Sequence, residues 1–424
     1  MQPDRPFPGL VSTAVLLAVW APAVPALDLE VGETRVSVGG SARFDAIHNF
    51  DADLGDRLFV VEVPLDDAGA EGATRFHARQ SRLNFATRTP VREAELATRL
   101  EFDLFGRDAP VAGRPERGDG FDEVVGNSSA LRIRHAYGAW NGILAGQTWS
   151  NFVLQNARVP TLDDGGPAAL VYNRQPQMRY SVPFATGEFS LALENPEATL
   201  TGDTGSADGR FDRTEVVAEV DGAGAPQLDT RTVFAGVPEN DTLPDLTLRF
   251  RADTGGLGYE LAGVVNRLEW DDGGADETRI GWGTMAALAY QTGGGSAFGA
   301  SGGYVKGANR YLNNAASGFL NGFVAADGDI ETRGEWAALA FADLALSAEV
   351  RTLLAVGYTD LDSDAESARF GMDGDTTLTV HANVRFSPFA ALMYGFEYQY
   401  ARREVVGGEV GRAGRLQFTA QYSF

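Results

Sequence analysis

The sequence predicts an all-β fold, a transmembrane antiparallel β-barrel of 16 strands with short periplasmic turns and long extracellular loops. Three observations carry this expectation. Segments with period-two alternation, each close to the roughly 10 residues that a tilted strand needs to cross a bilayer, recur from residue 35 to the end, without a convincing helical period. Tight turns alternate with long polar connections, the layout of an outer-membrane barrel. The final segment places Leu416, Phe418, Ala420, Tyr422 and Phe424 at every second position, with Arg415, Gln417, Thr419, Gln421 and Ser423 between them. An alternating strand with an aromatic last residue looks like a signal for barrel insertion.

The chain begins with an apolar run over residues 10–23 behind Arg5, followed by Val24 and Ala26 as the small residues of a cleavage site. Residues 1–26 are therefore expected to be a signal peptide and residues 27–424 the barrel domain. An anchoring helix fits less well, since the run is nearer 14 than 20 residues and the stretch contains Pro22 and Pro25.

The first strand is expected over 36–50, with Val38, Ala42, Phe44 and Ala46 on one face and Ser37, Ser41, Arg43, Asp45 and Asn49 on the other. Strands over 75–88 and 91–105 meet across Thr89-Pro90. The latter presents Ala94, Leu96, Leu100, Phe102 and Leu104 opposite Glu93, Glu95, Arg99, Glu101 and Asp103, a face that requires water. Strands over 131–140 and 143–149 flank Asn141-Gly142, a strong hairpin signal. The remaining strands are expected over 175–183, 188–195, 246–253, 257–270, 278–291, 297–306, 335–346, 348–361, 376–386, 390–403 and 412–424. Long loops are expected over 51–74, 106–130, 150–174, 196–244, 271–277, 307–331, 362–375 and 404–411. Trp140, Trp149, Trp270, Tyr358 and Tyr398 are expected in interfacial girdles.

Composition excludes several other classes. The 424 residues carry 35 Lys+Arg against 58 Asp+Glu, a formal net charge of -23, and no cysteine. Disulfide scaffolds, thiolate metal sites and basic nucleic-acid binders are thereby excluded. A mean hydropathy of -0.16 resembles that of a soluble protein, because alternating strands average out while keeping one apolar face. The acidic loops suit a surface where cations bridge lipopolysaccharide, although solvated loops without ligands explain them as well.

Sixteen strands leave an aqueous channel, whereas eight leave only room for side chains. Lys306 is the only lysine among the basic residues. Arginines fall on the expected inner faces: Arg82, Arg88, Arg99, Arg132, Arg134, Arg179, Arg249, Arg251, Arg351, Arg385 and Arg415. Such a ladder would draw anions. Alternatively, the arginines pair with inward acids such as Glu93, Glu95, Glu101, Asp103, Glu194 and Glu397 and stiffen the wall. Both readings stay open at this point.

The stretches 39–47, 80–90 and above all Leu131-Arg132-Ile133-Arg134-His135-Ala136-Tyr137, running into Leu144-Ala145-Gly146-Gln147-Thr148-Trp149-Ser150-Asn151-Phe152, resemble the DcaP-like porins. The resemblance implies a homotrimer of sixteen-stranded barrels in the bacterial outer membrane, surrounded by lipid and lipopolysaccharide. It implies uptake of small anionic organic solutes such as dicarboxylates. The segment after Trp149 would be a third loop that narrows the barrel, and Arg82, Arg88, Arg132 and Arg134 would lead the anion path. Some family members carry a heptad segment before the barrel; here about eight residues separate Ala26 from the first strand, so a trimer would form through barrel walls.

Other classes remain as alternatives: a non-selective porin, a structural or adhesive barrel, or an outer-membrane enzyme. The only nucleophile-elbow match, Gly299-Ala300-Ser301-Gly302-Gly303, falls inside a strand. His48, His77, His135 and His381 lack ligand spacing, and His135 is expected on the face opposite Arg132 and Arg134. Asp360, Asp362 and Asp364 mimic the start of a calcium loop without its glycine or its terminal glutamate. No catalytic residue, cofactor, metal site or nucleic-acid partner is expected.

Overall fold

The computed structural model describes residues 27–65, 72–106, 130–202, 212–220, 226–234, 237, 239–271, 273 and 276–424. The segment expected as a signal peptide, 1–26, and most of the loop expected over 106–130 lie outside the described residues.

One antiparallel sheet closes on itself. Its wall strands are β1 (Thr34–Asn49), β2 (Ala73–His77 continuing as Arg82–Val91), β3 (Ala94–Gly106), β4 (Ala130–Trp140), β5 (Ile143–Trp149), β6 (Arg174–Phe184), β7 (Gly187–Glu194) and β8 (Asp245–Thr254). They continue as β9 (Leu257–Asp271), β10 (Asp276–Gln291), β11 (Ala297–Lys306), β12 (Gly334–Ala345), β13 (Val350–Leu361), β14 (Gly374–Phe389), β15 (Leu392–Val405) and β16 (Val410–Ser423). Both pieces of β2 pair with β1, so they form one interrupted wall strand. Closure comes from β16 against β1, in register from Ser41↔Ser423 to Asn49↔Arg415. In lipid every backbone polar group must find its partner within the protein, and a closed barrel achieves this without an edge. The barrel thus has the sixteen strands expected.

The alternation determines which side chains meet lipid. Phe44, Leu191 and Trp336 point outward and are exposed, whereas their neighbours Asp45, Ser190 and Glu335 are buried inside. Tyr358 and Tyr398 are exposed outside as expected, but Trp149 and Trp270 are not girdle residues. Trp149 turns into the lumen where β5 ends, and Trp270 donates its indole N–H to the Gly328 carbonyl at 3.0 Å beneath the loops.

Turn chemistry explains most hairpins. Asn141 and Gly142 have φ of 48° and 84°, the left-handed pair of a two-residue hairpin that matches strand twist. The turn expected at Thr89-Pro90 lies instead at Arg92-Glu93, with Arg92 at φ 58°. Thr89 and Pro90 still pair with Leu96 and Glu95, because proline is tolerated close to a strand terminus.

Several loop elements had no signal in the strand pattern. A short strand Leu27–Val31 folds back on the start of β1. Leu200–Gly202 lies parallel to Gly322–Val324, and Asp212–Val220 pairs with Pro226–Phe234. A helix α1 (Ala365–Arg369) starts at Asp364, whose carboxylate accepts the Ser367 N–H at 2.8 Å. The aspartates that mimic a calcium loop therefore include a helix cap.

Candidate functional site

The lumen is crossed by residues 150–173, which leave β5 at Trp149 and fold inward. The reason is the chemistry of the opposite wall. Ala262, Val264, Met285, Ala287, Val305, Ala337 and Leu339, on the inner faces of β9 to β12, are apolar, unlike the charged inner face of β3. Phe152, Val153, Leu154, Ala169, Leu170 and Val171 of the crossing loop cover them, together with Tyr311 and Leu312 of the loop after β11. Apolar wall left facing water would forfeit about 25 cal/mol per Å².

Wall carboxylates hold this loop by its backbone. Glu194 accepts the Asn151 N–H at 2.7 Å, Glu260 that of Asn156 at 2.8 Å, and Glu397 that of Leu162 at 2.7 Å. Further along, Thr379 accepts the Ala168 N–H at 2.8 Å. Glu335 does the same for the loop after β11, accepting the Ala316 N–H at 2.7 Å. Glu194 and Glu397 were candidates for arginine partners; they satisfy loop amides instead, since a buried N–H without an acceptor costs about 1–3 kcal/mol.

The candidate arginines divide into groups. Arg82, Arg99, Arg132 and Arg134 meet around three carboxylates. Arg132 binds Asp103 through two bonds of 2.9 and 2.6 Å and Asp164 at 3.0 Å. Arg134, only 2% exposed, bonds Glu101 and Asp103, each at 2.8 Å. Arg99 reaches Glu101 at 2.5 Å, and Arg82 lies 3.6 Å from Asp164. Arg88 is elsewhere, half exposed toward the turn and paired with Glu95 at 2.9 Å. Arg385 sits on the far wall with Asp343 at 2.6 Å. Arg249 reaches Glu188 at 3.3 Å and neighbours Arg179 and Arg251 across β6 to β8.

Asp164 belongs to the crossing loop rather than to a spanning strand. Burial would raise its pKa, but the guanidiniums of Arg134, Arg82 and Arg132 outweigh burial and hold it below the ordinary carboxylate value.

Two arginines missing from the expected set stand out. Arg158, exposed on the crossing loop, and Arg174, at the start of β6, lie 4.8 and 4.3 Å from the Trp149 ring centre. Among the described residues Arg158, Arg174, Arg179 and Arg251 form no ion pair. Arg174 was legible as the residue before an expected strand; Arg158 lay inside the segment expected to narrow the barrel.

His135 is not on the face opposite Arg132 and Arg134. Glu101 pairs with His135 and Phe102 with Ile133, which leaves Arg134 as the extra residue of a bulge. Arg134 and His135 both turn inward, and the His135 ring bonds the Thr148 hydroxyl at 2.9 Å. A cavity of about 540 Å³ opens beside the arginine cluster, lined among others by Arg57, Arg132, Asp164, Tyr172, Arg174 and Arg310.

These features agree with comparisons to known proteins. The outer-membrane channel DcaP of Acinetobacter baumannii is similar in structure, with a TM-score of 0.72 and 22% identity over 93% of this chain and 99% of that one. The trimer form of OmpT from Vibrio cholerae has a TM-score of 0.50 and 12% identity over 92% and 99% of the two chains. An anion-selective porin from Comamonas acidovorans has a TM-score of 0.52 and 10% identity over 92% and 100%. No curated protein matches the sequence. The sequence model of the family described as the porin subfamily matches residues 32–418, and with its closed sixteen-stranded barrel the chain belongs to that family of bacterial outer-membrane channels.

Proposed function

We propose that this porin passes small anionic organic solutes, dicarboxylates among them, by diffusion through a lumen narrowed by residues 150–173. The observation that carries the reading is the imbalance of charge inside the barrel. Glu194, Glu260, Glu335 and Glu397 are buried under loop amides, whereas Arg158 and Arg174 flank Trp149 with no carboxylate partner among the described residues. Guanidiniums keep their charge and favour carboxylates through paired hydrogen bonds. Selectivity follows the charge of the narrow part of a pore rather than the total of -23, much of which lies in solvated loops.

A homotrimer that associates through barrel walls accompanies this reading, with lipid and lipopolysaccharide around it. The exposed apolar outer wall, including Phe44, Phe76 and Leu83, supplies the surface for either contact. The test is the reversal potential of the protein in a planar bilayer under a salt gradient. Anion preference is expected; cation preference overturns the reading.

A further inference from the structure

The cavity beside the arginine cluster already contains a carboxylate that belongs to the chain. We infer that Asp164 is a tethered competitor for the channel's anions: its carboxylate occupies the place where a solute carboxylate pairs with Arg82, Arg132 and Arg57, and so sets how tightly solutes are held. This rests on the anion-channel reading above.

The distances motivate the inference. Asp164 lies 3.0 Å from Arg132, 3.6 Å from Arg82, 3.7 Å from Arg134 and 4.0 Å from Arg57. Only the first is a hydrogen bond; the other three are attractions between charges with donors left to offer. The four arginines also differ in what else they hold. Arg132 and Arg134 keep Asp103 and Glu101 when Asp164 turns away. Arg82 and Arg57 have no other carboxylate partner among the described residues. Withdrawal of Asp164 therefore uncovers two guanidiniums next to a cavity lined by Arg57, Arg132 and Asp164 itself.

The backbone around Asp164 is pinned, so the exchange is a side-chain rotation rather than a loop movement. Asp163 accepts the N–H of Leu58 at 3.3 Å and that of Gly166 at 3.2 Å, and lies 3.5 Å from Arg415. Asn313 donates to the Gly165 carbonyl from the other side. The functional logic follows from conduction, which requires binding strong enough for entry and weak enough for exit. A resident carboxylate provides the second condition, because each arriving anion must displace it and each departing anion is replaced by it.

The experiment uses succinate as the probe, measured as the constant for block of chloride current through single channels in a bilayer. Asp164→Asn removes the charge and keeps the shape. Block by succinate is expected to tighten about tenfold, which corresponds to about 1.4 kcal/mol, and Arg82→Gln in the same background is expected to abolish most of the gain. Unchanged or weaker block in Asp164→Asn, in a channel whose wild type prefers anions, overturns the inference and leaves the anion reading intact. Cation preference of the wild type overturns both. If Asp164→Asn does not insert, Asp164→Glu keeps the charge and reaches further into the arginines. Its block by succinate is expected to be weaker than wild type, and equal or tighter block overturns the inference.

Discussion

Glu397 on β15 accepts the backbone N–H of Leu162 at 2.7 Å from inside the barrel wall. The same carboxylate takes bonds from Asn383 at 2.8 Å and the His381 ring at 3.1 Å, all within a site closed to water. One wall residue thus seats the crossing loop and satisfies two further wall residues.

Replacing Glu397 with Ala leaves the Leu162 N–H and the His381 ring without that acceptor, while Asn383 keeps the Pro160 carbonyl at 3.2 Å. The variant is expected to lose about 3 kcal/mol, with fastest amide exchange at Leu162 and Asp163. Hydrogen exchange of the detergent-folded protein checks this, and wild-type protection at both amides contradicts it.

Gly357 on β13 is a second support. A Cβ there would collide with the backbone of Ala168 on the crossing loop, whereas a Cβ at Gly263 would meet only the Gly283 carbonyl at 3.8 Å. Gly357→Val is expected to displace the loop and change single-channel conductance, while Gly263→Ala stays within about 0.5 kcal/mol of wild type in thermal unfolding. Equal conductance of Gly357→Val and wild type would show that the loop does not set the pore.

The arginine pair on β4 and the pair at Trp149 should respond differently. Arg158→Gln with Arg174→Gln is expected to move the reversal potential toward zero in a stable channel, because neither residue neutralises a carboxylate. Arg132→Gln with Arg134→Gln strands the buried Asp103, leaves Glu101 with Arg99 alone, and is expected to cost about 3–5 kcal/mol in stability. Thermal unfolding and reversal potentials of the two double variants separate these outcomes.

Outside the barrel, Asp364 caps α1 and pairs with Arg333 at 3.1 Å. Its hydrogen bond from the Ser367 N–H, ahead of the Arg333 guanidinium, lowers its pKa below the ordinary 3.8. A depressed carboxylate contributes stability above its unfolded value, and the contribution is lost as pH falls through the folded one. Protection of the 365–369 amides is therefore expected to hold at neutral pH and to fall only below about pH 4. Asp364→Ala is expected to remove that step, which amide exchange as a function of pH detects.

Wall and faces were legible because they are local. Alternation at Phe44 and Asp45, the Asn141-Gly142 turn and the strand that ends at Phe424 each report on a few neighbouring residues, and closure in lipid then permits few topologies. His135 and Trp149 were misplaced because period-two counting presumes an unbroken strand: a bulge at Arg134 changes the parity, and the end of β5 turns into the lumen. Trp270 instead keeps the parity of the inward Ala262 and Val264, so alternation itself turns it away from lipid.

The lumen depended on contacts distant in sequence. An arginine reads the same whether a carboxylate lies beside it or not; Arg134 is neutralised because Glu101 and Asp103 face it across β3, and Arg158 is not because its loop lies against Trp149. Likewise, Glu397 reads as a wall charge until Leu162, far away in the chain, arrives to donate to it. Strand pattern and turn residues were enough to specify a barrel with a wet interior. Which charges face that interior was decided only where apolar strands β9 to β12 drew the crossing loop onto themselves, since burial and pairing depend on neighbours in space.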